Sequence, residues 1–120
     1  MKKMKAIYLV AVLAVSALLL SSANAWAVSD EAQRHFDRGM AAVEMAKSPD
    51  DYAAAIKEFE QAIRFAPDWP DAYYKLGMAQ EKAGKYTDAI TSLKKYLRLA
   101  PNGSSAALVK SIINKLEFKA

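Results

Sequence analysis

Apolar positions fall into two regimes along the chain. From Ala6 to Leu20 they form one uncharged run, with Lys2, Lys3 and Lys5 before it and the small residues Ser21-Ser22-Ala23-Asn24-Ala25 after it. From Asp30 onward, apolar and polar residues mix with the spacing of helices that bury one face. Five helices are predicted there, over Asp30 to Ala46, Pro49 to Phe65, Trp69 to Ala83, Tyr86 to Leu99 and Ser104 to Lys119. The breaks carry the appropriate punctuation. Ser48 precedes Pro49 with Asp51 three positions on, a capping-box-like start, and Asp68 with Asp71 repeats the device. Gly84 stops the third helix. The last helix sets Leu108, Ile112, Ile113 and Leu116 on one stripe and Lys110, Lys115 and Glu117 mainly elsewhere, the pattern of an amphipathic lid.

The chain also matches itself. Tyr52 and Tyr86, Ala55 and Ala89, Ile56 and Ile90, Phe59 and Leu93, Ala62 and Tyr96, and Pro67 and Pro101 all share one offset of 34. The preceding helices match as well, Gly39 with Gly77, but at an offset of 38, so four residues are inserted between the helices of the first copy, within Lys47 to Asp51. Each copy is therefore a helical hairpin. Ser111 follows Gly77 at the shorter of these offsets, which makes the last helix the opening half of a third copy.

The second copy, with Tyr73, Leu76, Gly77, Ala89, Leu93 and Pro101, resembles the tetratricopeptide repeat in spacing and residue type. The fold expected is all-α, a short α-solenoid of two such hairpins plus a C-terminal amphipathic capping helix. Its division is 1–25 a cleaved signal peptide, 26–31 a short N-terminal segment, 32–69 the first repeat, 70–103 the second and 104–120 the cap. The small residues Gly39, Gly77, Ala55 and Ala89 let paired helices approach. Phe59, Ala62, Tyr73, Leu76 and Leu93 fill the space around them, and Pro67 and Pro101 end the second helices. The chain departs from the repeat pattern at Gln80, where a large apolar residue is usual, at Tyr96, where a small one is usual, and at His35 and Arg38, which replace apolar residues. A solenoid end tolerates atypical repeats, and the last helix covers the apolar face that the second hairpin would otherwise expose.

The N-terminal regime reads as an address. A basic start, an apolar run shorter than the roughly 20 residues needed to span hydrocarbon, and a small-residue A-x-A end make a secretory signal. Cleavage follows Ala25, or Ala27, since Ala25-Trp26-Ala27 also fits. The expected destination is the periplasm, with no stable membrane span after cleavage. The alternative is inner-membrane anchoring through an uncleaved signal, if Ser21 to Val28 extends the span.

Composition narrows the chemistry. The chain has 120 residues, no Cys and one His, which removes disulfides, thiol nucleophiles, iron–sulfur clusters and Cys-based zinc sites. Of its formal charge of +4, three units sit at Lys2, Lys3 and Lys5, and the remainder has 14 basic against 13 acidic residues. No basic stripe for nucleic acid is supplied. Charge is uneven along the rest: residues 26–80 carry six basic and ten acidic side chains, residues 81–120 eight basic and three acidic. There is no G-x-S-x-G elbow, P-loop, G-x-G-x-x-G or H-E-x-x-H. His35, with Asp37 or Glu31 within reach, reads as a partly exposed helix histidine rather than a relay. Asp50 and Asp51, with Glu44 nearby, read as helix-start carboxylates rather than a cation site. Trp69 is expected at the inter-repeat turn and Trp26 near a mobile new N-terminus. No catalytic residue, metal or cofactor is called for.

The resemblance places one face of each first helix in a concave groove. The residues are Gln33, Phe36, Met40, Val43 and Glu44, then Asp71, Tyr74, Met78, Glu81 and Lys82. Relatives that grip the terminal carboxylate of chaperones use Lys and Asn at these places, whereas Phe36, Met40, Tyr74 and Met78 make this groove apolar. That suits an amphipathic helix or an extended apolar peptide. Leu108 and Ile112 of the cap fall at equivalent positions, so the groove is either open or partly filled by them. The function implied is an exported adaptor that binds another envelope protein or peptide through Phe36, Met40, Val43, Glu44, Tyr74, Met78, Glu81 and Lys82. The alternative is a structural subunit that self-associates or docks on a larger repeat protein.

Overall fold

The computed structural model describes residues 27–120. The expected export signal, residues 1–25, and Trp26 lie outside the described residues. Five α-helices follow one another, α1 (Asp30–Met45), α2 (Tyr52–Phe65), α3 (Pro70–Lys82), α4 (Tyr86–Leu99) and α5 (Ala106–Lys119), and there is no strand among the described residues. The pairs α1–α2 and α3–α4 are the two hairpins, α3 packs on α2, and α5 packs on α4.

Local chemistry fixes each end. The Ser29 hydroxyl accepts the Ala32 N–H at 3.2 Å, and Asp30 and Glu31 occupy the first turn of α1, where the helix dipole favours negative charge. The inserted residues form a 3₁₀ turn, Pro49–Asp51, ahead of α2. There one Asp51 carboxylate oxygen accepts the backbone N–H of Lys47 at 2.8 Å and of Ser48 at 3.0 Å. The two donors hold this carboxyl below its ordinary value of 3.8. The device expected again at Asp68 is absent. Trp69, in extended conformation, is the N-cap of α3, and Pro70 is its first residue. A proline restricts the residue before it to extended conformations, and its missing N–H costs nothing at the first helical position. Gly84 adopts φ +78°. Its N–H donates to Glu81 O at 3.0 Å and the Lys85 N–H to Gln80 O at 2.8 Å, the paired bonds of a left-handed helix stop.

The two inter-repeat turns are copies of each other. Ala66 has φ −140°, ψ 75° and Ala100 has φ −136°, ψ 66°, each just before a proline. Trp69 donates to Ala66 O at 3.2 Å, and Gly103, its counterpart one repeat later, donates to Ala100 O at 3.1 Å.

The core divides into two clusters, each centred on the second helix of a hairpin and the helix that follows it. Ala55, Ile56 and Phe59 of α2 pack with Leu76 and Ala79 of α3. Ala89, Leu93 and Tyr96 of α4 pack with Val109, Ile113 and Leu116 of α5. Gly39 and Gly77 are buried. A Cβ at Gly39 would sit 2.6 Å from the Phe59 ring, and one at Gly77 2.7 Å from Leu93. Ala62 is also buried, Tyr73 is half-buried, and Pro67 and Pro101 are exposed at the turns. Hairpins locked by small-against-large contact and lidded by one more helix make a short helical solenoid.

Candidate functional site

The inner helices α1 and α3 bring their apolar faces together over α2. The resulting pocket holds about 210 Å³ and is lined by Met40 and Val43 of α1, Tyr52 and Phe59 of α2, and Tyr74, Lys75, Met78, Ala79 and Lys82 of α3. Helical spacing explains the grouping. Tyr74, Met78 and Lys82 recur every four residues and Lys75 lies three before Met78, so one face of α3 presents them all. Phe59 is the floor, fully buried where α2 meets Gly39. The side chains of Met40, Val43, Tyr74, Lys75 and Met78 are half-buried and Lys82 is exposed.

Five of the residues expected in the groove therefore meet in one pocket: Met40, Val43, Tyr74, Met78 and Lys82. Phe36 does not. Its half-buried ring packs instead on Trp69 at 4.5 Å and Phe59 at 5.6 Å, against α2 and the turn. Glu44 and Glu81 are outside the lining, as are Gln33, whose amide donates to Asp37 at 2.9 Å, and the exposed Asp71. Neither Leu108 nor Ile112 enters the pocket. Leu108 stays 54% exposed on α5, and Ile112 packs against the cluster that also holds Tyr74.

Tyr52, Lys75 and Ala79 of the lining escape sequence reasoning as groove residues, and Phe59 reads there as packing only. Tyr52 carries a signal, its recurrence as Tyr86. Lys75 carries another, being a cation on the Met78–Lys82 face inside an apolar stretch.

Three of the four departures from the repeat pattern, His35, Gln80 and Tyr96, have protein partners, and Arg38 is exposed. The His35 Nδ1 lies 2.7 Å from Glu58 Oε2 and the ring stacks on Phe65 at 5.7 Å, so its partner is Glu58 rather than Asp37 or Glu31. The buried Ser92 hydroxyl donates to Gln80 Oε1 at 2.7 Å. The Tyr96 hydroxyl accepts the Ser105 N–H at 3.3 Å, at the start of α5. The Tyr73 hydroxyl donates to Pro67 O at 2.8 Å, and burial, then the nearby Asp68, push its pKa up. Asp51 is committed to backbone donors, and no group of three or more His, Asp or Glu able to hold a metal assembles among the described residues. No described helix is long and apolar enough to cross a membrane.

Two stacked antiparallel hairpins with matching turns, followed by one further helix, define a short α-helical repeat protein. A family model of the tetratricopeptide repeat matches residues 44–114, and the chain belongs to that family. Repeats of this family mediate protein–protein interaction and serve as scaffolds. A comparison with curated proteins gave no match.

Proposed function

We propose that this chain is an exported tetratricopeptide-repeat adaptor that binds another cell-envelope protein in its inner-helix groove and performs no catalytic step. The observation that carries this reading is the apolar pocket between α1 and α3, with Met40, Val43, Tyr74 and Met78 as its walls. A volume of about 210 Å³ falls below the usual range for cofactors and substrates. It suits one or two large side chains of a partner chain, and thioether and aromatic walls adapt to such side chains at modest entropic cost. The export part of the reading rests on the basic, apolar and small-residue sequence of residues 1–25.

The test is cross-linked affinity capture of the tagged protein from its native envelope, beside the Tyr74→Ala/Met78→Ala variant. One dominant partner, bound ~30-fold more weakly by the variant, is the expected result for loss of anchor residues. A partner retained at full affinity by a variant of unchanged helicity would remove the groove assignment. A structural, self-associating subunit is the second reading. It is favoured by the uncovered side of α5, where Phe118 is 94% exposed, and by the excess of acid before residue 81 and of base after it. Sedimentation at low and high salt separates the two readings.

A further inference from the structure

The pocket has an electrostatic sign that its apolar walls conceal. Two of its lining residues, Lys75 and Lys82, are cations and none is an acid. Neither lysine makes an ion pair; among the described residues the ion pairs are His35–Glu58 and Lys94–Glu117. The Lys75 ammonium is held 5.5 Å from the centre of the Tyr74 ring, so it stands over the pocket wall. This arrangement runs against its surroundings, because residues 26–80 carry ten acidic and only six basic side chains. The acids of the expected groove, Glu44, Asp71 and Glu81, stay out of the lining.

Spacing sharpens the match. Lys75 and Lys82 lie two turns apart on α3, ~10 Å at 1.5 Å per residue, with Met78 between them on the same face. A facing helix presents the complement when an acidic residue at position i is followed by a large apolar residue at i+3 or i+4 and a second acidic residue at i+7. The apolar side chain then enters between Met40, Val43 and Met78, and the two carboxylates reach Lys75 and Lys82. From this geometry we infer that the groove's partner is an acidic amphipathic helix with one bulky apolar anchor centred between two carboxylates seven residues apart. The inference rests on the groove being the binding face and adds the chemistry of what binds there. The carboxylates concerned are side chains that flank the anchor, not a chain terminus.

The test is selection of a random helical peptide display library on the immobilised protein, with Met78→Lys as the pocket-blocked control. Matched circular dichroism and melting curves establish that the control is folded. Selected peptides then enter titrations against the wild type and Lys75→Gln/Lys82→Gln. Expected is a Met78-dependent set with Asp or Glu at i and i+7 around Leu, Met or Phe, binding the wild type about 3- to 10-fold more tightly than Lys75→Gln/Lys82→Gln, the range for two partly screened ion pairs. That difference should shrink as salt is raised. A Met78-dependent set that is apolar but carries no acidic preference, or binds the lysine variant equally well, overturns the inference and leaves the groove reading standing. A set indifferent to Met78, or no set at all, overturns both.

Discussion

The two hairpins fill the same space with large and small residues assigned in opposite ways. On α2 the helix residue is the small, buried Ala62, and the turn that follows carries Trp69, whose ring lies 4.5 Å from that of Phe36 on α1. On α4 the equivalent residue is the buried Tyr96, whose ring centre lies 5.7 Å from that of Tyr74. The turn residue opposite Tyr96 is then Gly103, where a Cβ would lie 2.6 Å from the Tyr96 hydroxyl. Each pair thus combines one large and one small residue, with the large one at the turn in the first hairpin and on the helix in the second. The exchange has a functional consequence. Phe36 and Tyr74 hold equivalent places on α1 and α3 and are both half-buried against a core cluster, yet Phe36 packs on Trp69 and stays out of the pocket while Tyr74 also forms its wall. Both aromatics pack on a core cluster, and only Tyr74 also faces the groove.

The largest expected effect comes from transplanting one solution into the other hairpin. Ala62→Tyr forces a ring into a fully buried position and should destabilise by about 3 kcal/mol. Trp69→Gly removes the indole ring and leaves a void under Phe36, at a cost of about 3 kcal/mol. The double variant copies the Tyr96–Gly103 arrangement and should lose less than the sum by about 1 to 2 kcal/mol. Urea unfolding of the four proteins measures the coupling. Strict additivity would show that the two turns do not exchange volume in this way.

Polar pairs give a second, smaller contrast. The Ser92–Gln80 bond is buried, whereas His35 and Glu58 are 24% and 25% exposed. Ser92→Ala strands a buried acceptor on Gln80 and should cost about 1 to 3 kcal/mol, much of it recovered by adding Gln80→Leu. His35→Ala should cost about 1 kcal/mol or less, because water can take over the Glu58 carboxylate. Equal losses at the two sites, measured by thermal melts, would mean that burial does not set the value of these pairs.

Much of this is legible in the sequence because it is local and periodic. The common offset of Ala55/Ala89 and Phe59/Leu93 announces stacked hairpins, and Pro49 and Gly84 mark turns by backbone chemistry that context cannot override. The displaced insertion at Lys47 to Asp51 announces a longer connection. The groove is legible only in part. Periodicity says which side of α1 a residue occupies, but whether Phe36 is covered depends on Trp69, far along the chain and outside that helix. The lining by Tyr52 and Lys75 likewise depends on how α3 settles on α2. The pairing of Glu58 with His35 joins α2 to α1 and has no sequence signature. In each case the deciding contact lies between elements, where a one-dimensional pattern carries no distance.

The connections inside the hairpins give the smallest and most specific test. Residues 46–51 are organised by a charge, the Asp51 carboxylate on the amides of Lys47 and Ser48, and residues 83–85 by a backbone conformation, Gly84 at φ +78°. The Asp51 pKa is lowered below 3.8 by those amides, so its ionised form is favoured in the folded state. Its contribution is fully present above 3.8 and is lost as pH falls through the lowered folded value, since below that the carboxyl is protonated in both states. The melting temperatures of Asp51→Asn and wild type should therefore differ most at neutral pH and converge in acid below pH 3.8. Gly84→Ala, which forces a Cβ into the left-handed region, should cost about 1 kcal/mol at every pH, since no proton is involved. A gap for Asp51→Asn that ignores pH would assign the first connection to its chain geometry, as in the second, and would leave the inserted residues without an electrostatic role.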